Sequence, residues 1–281
     1  MIPKVIHYVW VGDAPKPPQV LKCIDSWRRN CPGWEIREWG GDFVRASGNR
    51  YALEALAHRK WAFASDWARL AVLARHGGFY LDTDVELNRP LDPLCDARFV
   101  AGWERQNGRT LVGSGVLGSV PDGEVARGLL ALYDGLSFVR PDGELDQTPN
   151  TVRFLDYFAS AWGVRPADGG DAARFGDGGV ILPCEAFGSE KGYAVHHFAA
   201  TWLDAWLRKV WLKAGPYKLV RFKRRKETPD CGIRLLDGER ALLSLPLGAR
   251  KRVLLVSSSA RRRGRFFDII SAWKTLVIKR R

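Results

Sequence analysis

Residues 63–86, read as FASDWARLAVLARHGGFYLDTDVE, constrain the fold more than any other part of the chain. Residues 51–76 are dominated by Ala, Leu and Trp. Within them Phe63, Trp67, Leu70, Ala71 and Ala74 recur with the 3.6-residue period of an amphipathic helix. His76-Gly77-Gly78 stops that helix, because glycine takes a left-handed conformation at a helix C-terminus without a steric penalty. Phe79 to Glu86 then alternates apolar and acidic, the pattern of a strand running into a loop. A helix joined to a strand by so short a turn is a unit of an α/β fold.

The opening residues agree. Val5 to Val11 is an apolar run that reads as a buried strand, opening into a loop at Gly12-Asp13. Val20, Leu21, Ile24 and Trp27 have helical spacing, Cys31-Pro32-Gly33 ends that helix, and Trp34 to Trp39 alternates as a short strand. Strand, helix, strand predicts an α/β fold with a mostly parallel central sheet. Further on, Phe99–Glu104, Leu111–Val120 and Val180–Pro183 read as strands, and Glu124–Tyr133 and Thr151–Trp162 as helices. No run of about 18 apolar residues predicts a membrane-spanning helix. The N-terminus lacks the basic start of a signal peptide and reads better as the first strand. Five cysteines, at 23, 31, 95, 184 and 231, form no CxxC pair and fit reduced thiols in a cytoplasmic protein.

The net charge of +13 would suggest a polyanion binder were it evenly spread. Residues 1–207 sum to −4 and residues 208–281 to +17, so the basic character belongs to a C-terminal extension. The expected organisation is a catalytic domain over 1–207 and a basic appendage over 208–281. The last residues, from Phe266, mix bulky apolar and basic side chains and read as an interfacial helix with a polybasic anchor. That predicts attachment to an anionic membrane surface and a cytoplasmic protein, peripheral at the inner face of the membrane. A solvated basic face is the alternative. Nucleic acid is not expected, because no nucleic-acid module or zinc site accompanies the charge.

Asp82 and Asp84 carry the chemistry. In an extended segment, residues i and i+2 share a face, and two such carboxylates repel unless a cation or proton lies between them. At the C-terminal end of a central strand they occupy the usual ligand edge of an α/β sheet. Oxygen ligands suit Mg²⁺ or Mn²⁺, which would hold the phosphates of a nucleotide. Asp66 and Arg69, at i and i+3, share one face of the preceding helix.

The string Ala64-Ser65-Asp66, Arg69-Leu70, then Gly77-Gly78-Phe79-Tyr80-Leu81-Asp82-Thr83-Asp84, resembles the sugar-binding segment of glycosyltransferase family 32. Ile2–Gly12, Ser26-Trp27 with Cys31-Pro32-Gly33, and His196-His197 followed by Thr201-Trp202 are similar to other stretches of that family. The resemblance covers roughly residues 1–207. It implies a GT-A fold, one Rossmann-like nucleotide-sugar-binding domain. The implied activity is a metal-dependent, configuration-retaining hexosyltransferase using Mn²⁺ or Mg²⁺ in cell-surface polysaccharide (capsule) synthesis. The implied partners are a UDP- or GDP-sugar donor and a glycan or lipid-linked acceptor. Asp84 would bind the metal, with Asp82 beside it and His197, or else His196, completing the site. Asp66 and Arg69 would bind the donor sugar, Trp10 would stack on the base, and Thr201 and Trp202 would reach the leaving phosphate. Asn150 has two readings, a helix N-cap or a donor contact.

Gly113-Ser114-Gly115-Val116-Leu117-Gly118 fits GxGxxG. Pro121-Asp122-Gly123 follows at once and forbids the helix that a dinucleotide fingerprint needs, so this stretch reads as a small-residue strand on the acceptor side of the cleft. Two other functions remain open at this point: a non-catalytic basic binding protein of membranes or nucleic acid, and a different metal-dependent phosphate enzyme such as a nucleotidyltransferase.

Overall fold

A computed structural model describes residues 1–197, except 13, 107 and 167–169, and the backbone of four strands within 210–247. The chain divides into two compact units, Met1–Ala199 and Ala200–Arg281.

In the first unit the elements run β1 (Val5–Val9), α1 (Pro18–Asn30), β2 (Glu35–Trp39), α2 (Gly41–Arg45), α3 (Arg50–Ala57), α4 (Trp61–His76), β3 (Gly78–Leu81), β4 (Val85–Leu87), β5 (Phe99–Gln106), β6 (Arg109–Val112), β7 (Val116–Ser119), α5 (Glu124–Ala131), α6 (Asn150–Ala161), β8 (Ala173–Phe175), β9 (Gly179–Leu182), α7 (Cys184–Gly188) and β10 (Ala194–His196). The main sheet has the order β2-β1-β3-β7-β5-β9-β8, with β6 paired to β5. β1, β2, β3, β5 and β9 point the same way, and β7 runs against its neighbours β3 and β5. This is an α/β fold on a mostly parallel, mixed sheet.

Both faces of the sheet are covered, which is why its strands read as unbroken apolar runs. Strand alternation sorts the side chains. Val9, Tyr80, Phe99, Ala101 and Leu117 join one core with residues of α3, α4, α5 and α6. Ile6, Tyr8, Phe79, Leu81 and Val100 join the other, under Val20, Cys23, Ile24 and Trp27 of α1. Cys23, Cys31, Cys95 and Cys184 are all free thiols.

Three expectations change in detail. The helical region 51–76 is two helices, because Arg59 takes a positive φ of 55° and turns the chain between α3 and α4. Leu111–Val120 is two strands, β6 and β7, parted at Gly113–Gly115, and no helix starts within the GxGxxG string. The strand read from Phe79 to Glu86 also divides. β3 stays in the main sheet while β4 leaves it to pair antiparallel with β10.

The turn that aims β3 is held from β1. Gly77 has φ 64° and ψ −156°, a region essentially reserved for glycine, and Gly78 has φ 88°. A Cβ on Gly78 would lie 2.5 Å from Val5 Cγ1 and 2.8 Å from the Val5 carbonyl oxygen. His7, fully buried on β1, donates from Nε2 to the Gly77 carbonyl at 3.0 Å and accepts at Nδ1 from the Trp39 indole N–H at 3.1 Å. Both ring nitrogens are satisfied only in the neutral Nε2–H tautomer. Burial pushes the His7 pKa down to about 4.

In the second unit β11 (Val210–Ala214), β12 (Tyr217–Lys223), β13 (Cys231–Asp237) and β14 (Arg240–Leu247) pair antiparallel in sequence order. The interfacial helix expected beyond Phe266 lies outside the described residues, as do Thr201 and Trp202.

The neutral His7 makes stability pH-dependent. The unfolded chain binds a proton at this side chain near pH 6.5, the folded one only near pH 4, so acidification through that window favours unfolding. The cost at pH 5 is about 2 kcal/mol. Melting curves between pH 7 and pH 5 should show it, and His7→Gln should flatten the slope while lowering stability at pH 7.

Candidate metal centre and donor site

Asp82 follows directly on β3. Its backbone N–H donates to the Gly115 carbonyl at 2.8 Å, and its carbonyl accepts from the Val85 N–H at 3.0 Å. Asp82-Thr83-Asp84 is therefore a tight turn and not extended chain. The two carboxylates meet because the backbone reverses between β3 and β4, and not by the strand alternation expected from their spacing.

The third member comes from β10. Its register sets His196 against Val85, beside the turn. One ligand atom each from Asp82, Asp84 and His196 lie within 4.8 Å of one another. His196 Nε2 is 3.2 Å from Asp84 Oδ1, and its Nδ1 is 3.6 Å from Glu104 Oε2 on β5. His197 was the expected ligand. Its Nε2 instead lies 2.9 Å from Glu86 Oε2, which also accepts from Lys22. Consecutive residues on a strand face opposite ways, so only one of the two histidines reaches the acidic turn. Gly115 completes the close approach, since a Cβ there would be 2.9 Å from the His196 ring and 3.4 Å from Asp82 Oδ2.

Burial alone would lower the His196 pKa, but its contacts with Asp84 and Glu104 outweigh that and raise it to about 10. The imidazole is thus a cation among carboxylates, occupying the electrostatic role that a metal would take over. Two carboxylate oxygens and one imidazole nitrogen form a donor set that fits a divalent cation, with the nitrogen favouring Mn²⁺ over Mg²⁺.

Behind the turn lies a buried network from α4. The Arg69 side chain is only 4% exposed, and its five N–H donors meet five acceptors. Nε faces the Ser65 carbonyl at 3.3 Å. Nη1 reaches Asp82 Oδ2 at 3.2 Å and the Ser114 carbonyl at 2.8 Å. Nη2 reaches Ser65 Oγ at 3.3 Å and Asp66 Oδ1 at 2.9 Å. The guanidinium also stacks 4.7 Å from the Tyr80 ring centre, and the Tyr80 hydroxyl donates to Asp82 Oδ1 at 2.9 Å. Asp66 and Arg69 share a helix face as expected, but that face is buried and not solvated.

Asn150 opens α6, donates to Asp66 Oδ1 at 2.8 Å and is buried. It is not an N-cap: Pro149 holds that position. Burial pushes the Asp66 carboxyl up to about 7, against the pull of Arg69.

Trp10 follows β1, which is parallel to β3, so it ends at the same sheet edge as the acidic turn. Its indole N–H donates to the Ala14 carbonyl at 3.0 Å, and Lys16 Nζ lies 5.8 Å from its ring centre. The structure thus unites Asp66, Arg69, Asp82 and Asn150, sets Asp84 with His196, and leaves Trp10 one strand away. Tyr80 and Glu104 are additions. Tyr80 stood inside the matched string as an apparent core aromatic, and nothing in the spacing around Glu104 marks it.

Arg69→Lys tests the network. An ammonium has three donors, so at least two of the five buried acceptors lose their partner. Thermal melting should show a loss of about 3–5 kcal/mol, the range for breaking a buried ion pair, and Mn²⁺ affinity should fall with it as Asp82 loses its support.

Residues 17–100 match the family model described as "Glycosyltransferase sugar-binding region containing DXD motif". The chain is 31% identical over 132 residues to the "Uncharacterized glycosyltransferase L373" of Acanthamoeba polyphaga mimivirus, covering 43% of this chain and 51% of that one. It is 30% identical over 100 residues to "Inositol phosphoceramide mannosyltransferase 1" of Schizosaccharomyces pombe, covering 33% of this chain and 31% of that one. The chain thus spans about half the length, or less, of these curated relatives. The solved "PaToxG Glycosyltransferase" aligns at 20% identity and a TM-score of 0.37 over 47% of this chain and 60% of its own. Asp82-Thr83-Asp84 is the one Asp-X-Asp string within the residues that match this model.

Proposed function

We propose that this chain is a divalent-cation-dependent glycosyltransferase of GT-A type. It moves a hexose from a nucleoside-diphosphate sugar, UDP- or GDP-linked, to a hydroxyl of a glycan or lipid-linked acceptor in cell-surface polysaccharide synthesis. The observation that carries this reading is the meeting of Asp82 and Asp84, which lie at the C-terminal edge of β3 inside the matched region, with His196 of β10.

In the transfer, the bond from the anomeric carbon to the diphosphate oxygen breaks, and its electron pair leaves with the diphosphate. The acceptor oxygen bonds to that carbon and gives up its proton. Mn²⁺ or Mg²⁺ held by Asp82, Asp84 and His196 would neutralise the charge that develops on the leaving diphosphate. The protein's own share is positioning. Arg69 and Tyr80 fix both oxygens of Asp82. Asp66 and Asn150, bonded to each other behind that carboxylate, would read sugar hydroxyls by the family resemblance. Trp10, at the end of the neighbouring strand, is the base-stacking group of this reading. Thr201 and Trp202 would approach the leaving phosphate. Retention of configuration follows only from the family resemblance.

The basic residues 208–281 support a peripheral location at an anionic inner membrane face, which would bring the enzyme to a lipid-linked acceptor.

Three measurements test these assignments. With Mn²⁺ and a panel of nucleotide sugars, release of nucleoside diphosphate should require the cation and vanish in the Asp82→Ala, Asp84→Ala double variant; activity surviving there would refute the reading. His196→Ala should weaken Mn²⁺ binding by at least about tenfold, whereas His197→Ala should change it by less than about threefold, the difference between a ligand and its neighbour. The whole chain should co-sediment with vesicles containing phosphatidylserine, not with neutral ones, and should be released by salt.

A further inference from the structure

We propose that the ion pair of Asp146 and Arg153 is a positioning clamp: it fixes the first turn of α6 so that the Asn150 side chain meets Asp66, and thereby sets the two groups assigned to the donor sugar. This rests on the glycosyltransferase reading above.

The entry into α6 is the first argument. The helix has no side-chain cap, because Pro149 stands at its N-cap, and its first turn holds no acidic residue. A carboxylate outside the helix ties it down instead. Asp146 Oδ1 accepts from the Thr148 N–H at 3.2 Å and from the Thr148 hydroxyl at 2.6 Å, which folds the chain into a tight turn just before Pro149. Its Oδ2 accepts from Arg153 Nη2 inside the helix. Asn150 lies between these two points of attachment. It is three residues from Arg153, so the two share a helix face.

The second argument is how α6 is placed against its neighbours. The Arg153 guanidinium lies 5.9 Å from the ring centre of Tyr51 on α3 and 5.8 Å from that of Tyr133, just beyond α5. The two rings meet edge to face at 5.1 Å, and the Tyr51 hydroxyl donates to the Asp146 carbonyl at 3.4 Å. Asp66 Oδ1 accepts from Arg69 on its own helix and from Asn150 on α6. Only the second of these bonds depends on where α6 lies, and Arg153 with Asp146 decides that.

The third argument is cost. A largely buried ion pair returns little net stability against apolar side chains of the same volume. Here Arg153 Nε is buried with no hydrogen-bond partner among the described residues. An apolar side chain between the two rings would avoid that orphaned donor. What the guanidinium supplies, and an apolar side chain does not, is a directed bond to Asp146 and hence a fixed distance from the loop to the helix.

The double variant Asp146→Asn, Arg153→Met removes the charge pair but keeps the volume and an acceptor for Thr148, so its melting temperature should stay near that of the wild type. The first readout needs no donor. In ¹⁵N spectra of the whole chain, the Asn150 side-chain amide is identified by its loss in Asn150→Ala. Its exchange with water should be at least about tenfold faster in the double variant. Arg153→Lys keeps the charge and should give an intermediate rate, and it carries the test should the double variant melt early. The second readout is turnover with Mn²⁺ and UDP-glucose, UDP-galactose or GDP-mannose. In the double variant KM for the donor should rise at least about tenfold. Affinity for free UDP or GDP and for Mn²⁺ should change by less than about threefold, since neither is assigned to α6. Unchanged amide exchange would overturn the proposal, as would an unchanged KM beside faster exchange. An equal loss across donor, nucleoside diphosphate and Mn²⁺ would mark a merely structural role and overturn it too. If the wild type releases nucleoside diphosphate from none of the donors, the glycosyltransferase reading fails, and exchange of the Asn150 amide still decides the clamp.

Discussion

The buried guanidinium of Arg69 is the constraint on which the rest of the site depends. A charge taken out of water is tolerated only when its donors are satisfied, and here five acceptors from three parts of the chain are arranged around it. Ser65 and Asp66 lie on its own helix, Asp82 at the end of β3, and Ser114 in the turn between β6 and β7. One side chain thereby fixes the distance from α4 to two separate segments of the sheet. Asp82 is held on one oxygen by Arg69 and on the other by Tyr80, so its carboxylate has little freedom left. Such rigidity carries a folding cost and is useful where a cation must find its ligands already oriented.

The neighbouring strand β1 supports that network through the backbone. His7 grips the Gly77 carbonyl, and the two glycines adopt conformations that other residues rarely take. The chain can then leave α4 and enter β3 within two residues, with β3 pressed against β1. The acidic turn inherits its position from this junction. A bulkier side chain at Gly78 would meet Val5 and His7 and displace the strand that carries Asp82. Helix stop, strand direction and the placing of Asp82 are one structural problem, solved where residues 61–85 meet β1.

Much of this was legible in the sequence where the pattern is local. The 3.6-residue period of α4, its glycine stop and the apolar runs of β1 and β3 follow from rules of neighbouring residues, and so did the α/β class. What was not legible depends on partners distant in sequence. The spacing of Asp82 and Asp84 suggests an extended strand, but the bond from the Asp82 N–H to the Gly115 carbonyl, and the pairing of β4 with β10, bend it into a turn. Asn150 at a helix start has the signature of a cap, and only the arrival of Asp66 shows it is bonded elsewhere. His196 and His197 are equivalent as letters. The register of β10 on β4 separates them, and register is set by the whole pairing.

The same logic applies to Glu104. Glu104 was invisible in the sequence because one acidic residue on a strand has no signature. Once β10 folds back over the acidic turn, Glu104 lies on one side of His196 and Asp84 on the other. A histidine flanked by two carboxylates holds a proton firmly, and its Nε2 would serve as a metal ligand only with that proton absent.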